Sequence, residues 1–201
     1  MKGSEIPKRT DVILSVATLA LALLAAGIIV ATASTDEFVA WAWRRHHNVL
    51  SWYVRPLFLL PFCWFAWRRS RTGMAVTLVA LATSMAWFPA PAHPDPAVVQ
   101  FLAVERDYLL GPWTAAKVAM SLLVPLTFAA IAAALWRRSM VWALVVVNAA
   151  CLFKVGWSYW YDTDGTGADA LATPALIGLV VVDVALVAAY STANRRPLLR
   201  S

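Results

Sequence analysis

Apolar residues along this chain come in long, nearly unbroken stretches, not in the short periodic runs of a soluble domain. Crossing a hydrocarbon layer takes about 20 mainly apolar residues. Six stretches meet that test: 11–33, 48–67, 73–90, 113–135, 140–159 and 172–192. Ser34 followed three residues later by Glu37 is a capping-box pattern, and it opens a short helix over 36–47 whose Phe38, Trp41 and Trp43 suit the headgroup layer. Asp95 as N-cap with Pro96 at the first helical position opens a second short helix over 96–110. The segment from Asp162 to Ala170 is rich in Gly and Asp and reads as a loop, with Thr173 and Pro174 capping the last stretch.

The pattern predicts an all-α fold: a polytopic membrane helix bundle forming one integral domain over 1–201, with six transmembrane helices and two short interfacial helices on the outer side. Composition points the same way. The chain is 61% hydrophobic and 14% charged, with a mean hydropathy of +0.67, against about 45–50% apolar and about 25% charged in soluble domains. A soluble enzyme, a secreted disulfide scaffold and a disordered tail are excluded. Cys63 and Cys151 both lie within apolar stretches, far apart, and read as small core residues.

Charge placement sets the orientation, because Lys and Arg near span ends stay on the cytoplasmic side. With six spans, one face collects Lys2, Lys8, Arg9, the arginines at 68, 69, 71, 137 and 138, and those at 195, 196 and 200, against only Glu5 and Asp11. Both termini are therefore expected to be cytoplasmic, in a multi-pass protein of the cell membrane, of bacterial inner-membrane type. The net charge of +6 is accounted for by this asymmetry, and nucleic acid is not an expected partner; membrane lipids are.

An internal echo recurs at an offset of 69 residues. Pro56-Leu57 precedes Trp67-Arg68-Arg69-Ser70 as Pro125-Leu126 precedes Trp136-Arg137-Arg138-Ser139. Read as duplication, it makes spans two-three and four-five parallel repeats, a construction used by transporters. Read as convergence, it is the Trp belt and basic flank common to inward-running span ends.

Ionisable groups within spans cost about 2.5–3.5 kcal/mol each at a helix centre by insertion scales, and they face the bundle interior or a wet cavity. Asp183 sits at the centre of the sixth span, and Arg55 lies at similar depth in the second, so the two are expected to interact, directly or through water. Lys117 and Lys154 lie one to two turns from the outer ends of spans four and five, and Asn148 interrupts the fifth. In the second short helix, Val98, Phe101, Leu102, Glu105, Tyr108 and Leu109 share one face, which places Glu105 within an apolar stripe. Arg55, Glu105, Lys117, Asn148, Lys154 and Asp183 are thus the candidate ligand-binding residues.

Several chemistries lack their parts. There is no GxSxG, HExxH or pair of intramembrane aspartates. Arg44-Arg45-His46-His47 reads as a solvated interfacial turn or, through its two guanidinium forks, as a site for a lipid phosphate, and adjacent His46 and His47 do not make a bis-His haem site. The run from Asp162 to Asp169 alternates oxygen ligands without full calcium-loop spacing. No cofactor or metal is expected. In span count alone, the chain resembles the substrate-binding membrane components of energy-coupling-factor vitamin transporters. Three functions stay open: binding or transport of a small anionic or amphipathic ligand through an outer-facing polar cavity; a non-catalytic subunit or scaffold, partnered by another membrane protein or a second copy; and a small membrane enzyme using Glu105 or Asp183 on a lipid-like substrate.

Overall fold

The computed structural model describes residues 36–84, 87–162 and 166–195. The predicted first span, 11–33, and Ser34 of the capping box lie outside them. All regular structure among the described residues is helical. The helices are α1 (Asp36–His46), α2 (Val49–Leu57), α3 (Leu59–Trp67), α4 (Arg71–Thr83), α5 (Pro96–Leu110), α6 (Ala115–Trp136), α7 (Met140–Tyr161) and α8 (Thr166–Arg195).

Four stretches are long and apolar enough to cross a bilayer: Val49–Trp67, made of α2 and α3, then Ala115–Trp136, Met140–Tyr161 and Gly167–Thr192. Each falls on a predicted span. The predicted span 73–90 is shorter in the fold. Its helix, α4, ends at Thr83, and Trp87 to Ala90 are not helical. Hydropathy carried the expectation on through Trp87 and Phe88, residues that are apolar without extending the helix.

The first crossing stretch is broken for a covalent reason. Pro56 and Pro61 have no N–H to give the carbonyls of Trp52 and Leu57, four residues earlier. Phe58 sits at the break, and its N–H turns back three residues to the carbonyl of Arg55, at 3.1 Å. Pro125, by contrast, lies within an unbroken α6.

The two echoed turns agree bond for bond. Arg69 N donates to Ala66 O and Ser70 N to Phe65 O; Arg138 N donates to Leu135 O and Ser139 N to Ala134 O. This is a Schellman closure in both copies, with the left-handed residue an arginine each time, φ 54° at Arg69 and 63° at Arg138. Ser70 and Ser139 then cap the following helices by accepting from Gly73 N and Trp142 N.

One core joins α3, α6, α7 and α8 through Phe62, Ile131, Leu135, Val147 and Val182, all nearly inaccessible. A smaller one joins α2 and α5 through Trp52, Val98, Phe101 and Leu102. The α2–α8 approach is close because Gly178 lies on the Pro56 ring; a Cβ there would stand 2.4 Å from Pro56 Cβ.

The helix α8 begins earlier than the sequence suggests. Asp162, a buried residue, accepts the N–H of Ala168 at 2.6 Å on its side chain. An acceptor at that position satisfies a first-turn donor, so helix occupies part of the predicted loop and runs through Pro174.

Candidate functional site

The smaller core fixes one end of a chain of polar side chains. His46 closes α1, 8% exposed, with its ring between those of Trp43 and Trp52, at 5.6 and 6.0 Å. Trp52 Nε1 donates to the His46 carbonyl at 3.0 Å. Side chains on a helix lean toward its N-terminus, and on α2 this carries the Arg55 guanidinium toward His46, nine residues back. Arg55 Nη2 lies 2.9 Å from His46 Nδ1.

That contact assigns the imidazole tautomer. A guanidinium has only donors, so Nδ1 is the acceptor and the ring proton sits on Nε2. This nitrogen faces Glu105 Oε2 of α5 at 3.5 Å. The other carboxylate oxygen, Oε1, is 3.7 Å from Lys154 Nζ of α7. Four helices thus supply Arg55, His46, Glu105 and Lys154 in sequence, cation to imidazole to carboxylate to cation.

Burial, the strongest influence on His46, holds its pKa below the ordinary value, and the Arg55 guanidinium adds to this; together they outweigh the attraction of Glu105. The imidazole is neutral at neutral pH, so the 3.5 Å His46–Glu105 contact sets a neutral ring N–H against a carboxylate and is not an ion pair. Burial pulls Glu105 the other way, toward the acid form, but hydrogen bonding to His46 and the charges of Lys154 and Arg55 leave its pKa lowered. The ionised cluster therefore carries two cations and one anion.

Glu105 and Lys154 lie at the edge of a cavity of about 380 Å³ between α5, α6 and α7. Its walls are chiefly apolar, including Val104, Leu123, Val124 and Phe128. An aromatic stripe at four-residue spacing on α7, Phe153, Trp157 and Tyr161, forms one side and meets Tyr108 of α5; the Trp157 and Tyr161 rings are 4.5 Å apart. Lys154 is about half exposed. An apolar slot with one accessible ammonium at its rim can hold a molecule with an apolar body and a hydrogen-bond-accepting head.

The six predicted residues do not form one group. Glu105 and Lys154 meet at the cavity, and Arg55 reaches them through His46. Lys117 is buried and its ammonium donates to the carbonyls of Leu109 and Gly111, at 2.7 and 2.8 Å, beneath the Trp113 ring at 4.6 Å. It caps the C-terminus of α5. Asn148 donates one N–H to Leu144 O, at 2.9 Å, and its amide nitrogen also lies 3.0 and 3.2 Å from the two Asp183 oxygens, tying α7 to α8.

Arg55 and Asp183 are not in direct contact: Arg55 turns to His46 and Asp183 to Asn148. Equal depth along two helices did not account for the reach of the arginine toward its own N-terminus. His46 was not among the predicted site residues. Its signal was present in the sequence, since Trp43 and Ala42 stand three and four positions before it on the apolar stripe of α1. No family model, curated protein or solved structure matches this chain, and the resemblance in span count to vitamin-transporter components stays a resemblance in count.

Proposed function

We propose that this chain is a multi-pass membrane protein, with six spans, cytoplasmic termini and α1 and α5 at the outer interface, that binds an amphipathic ligand in the α5–α6–α7 cavity. The observation that carries the reading is the pairing of an apolar, aromatic-walled slot with a single half-exposed ammonium, Lys154. The ligand's apolar body lies along Trp157 and Val124, and its head, a carboxylate or phosphate monoanion, takes the ammonium. At 3.7 Å from Glu105, beyond hydrogen-bond length, Lys154 keeps its donors for such a head. Arg55 and His46 hold Glu105 from behind, so that it orients Lys154 without leaving its place.

The test is binding of a dansyl-labelled medium-chain fatty acid to the purified full chain in neutral detergent, read by energy transfer from tryptophan. Lys154→Met should weaken binding at least about tenfold, because a charge-assisted hydrogen bond is worth about 1.5–3 kcal/mol. Ala150→Phe, which places a ring inside the cavity, should abolish it. Unchanged affinity in both variants would refute the proposal.

A further inference from the structure

The end of the bundle opposite this cavity carries its own site. Lys154 lies 14 residues along α7 from Met140, about 21 Å at helical rise. At the near end of α7, the turns Trp67-Arg68-Arg69-Ser70 and Trp136-Arg137-Arg138-Ser139 stand side by side and interlock. Arg69 Nη2 donates to the Trp136 carbonyl at 3.1 Å. The Arg138 guanidinium lies over the Trp67 ring at 4.6 Å, and that of Arg71 over the Trp136 ring at 5.7 Å. Each turn thus places an arginine on the tryptophan of the other.

Two features separate this from a basic flank of ordinary kind. First, both Schellman turns put arginine where the backbone is left-handed, φ 54° and 63°. That conformation costs an L-residue free energy that glycine escapes, so the side chain is retained against the preference of the backbone. Second, all five arginines, 68, 69, 71, 137 and 138, are exposed, and among the described residues the one ion pair is that of Lys154 with Glu105. Among the described residues no carboxylate lies within ion-pair distance of any of the five. Arg69 spends one of its five N–H donors on the Trp136 carbonyl, the partner it has among the described residues.

We propose that the paired turns bind the phosphate of an anionic phospholipid headgroup. Guanidinium forks match phosphate oxygens in bidentate geometry. The indoles of Trp64, Trp67 and Trp136, stacked beneath Arg68, Arg138 and Arg71, are the side chains that sit at headgroup level. A lipid phosphate arrives there tethered to the leaflet, at a local concentration that free phosphate does not reach. Because the two turns belong to α3–α4 and α6–α7, one headgroup between them links the two hairpins, and the bound lipid stabilises their contact.

The experiment is thermal unfolding of the full chain in neutral detergent with added phosphatidylglycerol, phosphatidylcholine at equal mole fraction, or inorganic phosphate. Phosphatidylglycerol is expected to raise Tm by about 2–4 °C, the other two to leave it unchanged. Arg69→Gly with Arg138→Gly relieves the left-handed strain, which keeps the fold, and removes two forks; it should lose the lipid-specific rise. Native mass spectrometry should show fewer retained anionic lipids on that variant. Equal rises with both lipids, a rise reproduced by inorganic phosphate, or a full rise retained in the glycine variant would each overturn the proposal.

Discussion

At the scale of single residues, the decisive arrangement is the arginine that donates to an imidazole. While Arg55 occupies Nδ1 of His46, a proton cannot enter there without setting two donors against each other. Arg55, Glu105 and His47 are the charged or titratable groups acting on the ring, with Trp43 and Trp52 as its walls. The folded pKa lies below the unfolded one, near about 6.5. Below that value the unfolded chain takes up a proton that the folded chain resists, so the stability from a neutral His46 is present above it and is lost as pH falls. Glu105, also lowered, adds a second loss of the same sign further into acid. Melting temperature in detergent should therefore fall between about pH 7 and about pH 5, and fall less in His46→Asn, which has no titrating ring. An identical pH profile in the variant would show that His46 does not set it. Part of this was open to inspection in the sequence. Glu105 on the apolar face of α5 was legible from helical spacing, whereas the Arg55–His46 contact was not, because it depends on how α1 folds back over α2.

At the scale of elements, the helices are decided by covalent and capping features that composition alone does not weigh. Hydropathy found the stretches long and apolar enough to cross a membrane, at 48–67, 113–135, 140–159 and 172–192, to within a few residues, save at the start of the last. It could not find the break at Phe58, which comes from prolines, nor the end of α4 at Thr83, nor the start of α8, where a single carboxylate cap extends the helix upstream. Packing of these elements yields a paired prediction. Gly178→Ala would drive a methyl into the rigid Pro56 ring, 2.4 Å from its Cβ, and α8 must move from α2; a Tm loss is expected, of the order of the about 1–3 kcal/mol that overpacking costs. Gly156→Ala meets nothing within 4 Å and should leave Tm unchanged or raise it, since glycine within a helix is unfavourable by about 0.5–1 kcal/mol relative to alanine. Equal responses at the two positions would show that the α2–α8 approach is not as tight as described.

At the scale of the whole molecule, the two ends differ in charge and chemistry. One holds α1, α5, His46 and Glu105; the other holds the two arginine turns. In a background with Cys63→Ala and Cys151→Ala, a cysteine at Asp107, exposed on α5, should react with a membrane-impermeant maleimide in intact cells. A cysteine at Arg137 should react only after permeabilisation. The reverse result would invert the orientation and move the α5–α6–α7 cavity to the cytoplasmic side.

The interlocked turns also have a consequence for biosynthesis. All hydrogen bonds that shape the first turn come from within residues 64–74, so the α3–α4 hairpin can close as soon as its own residues have left the ribosome. The acceptor for Arg69, the carbonyl of Trp136, is 67 residues further on. At about 5–20 residues per second, that partner follows about 3–13 s later. During this interval the first hairpin carries at its tip an Arg69 guanidinium whose acceptor carbonyl has not yet been made. In the bond that joins the two hairpins, the donor is thus always made first and the acceptor second.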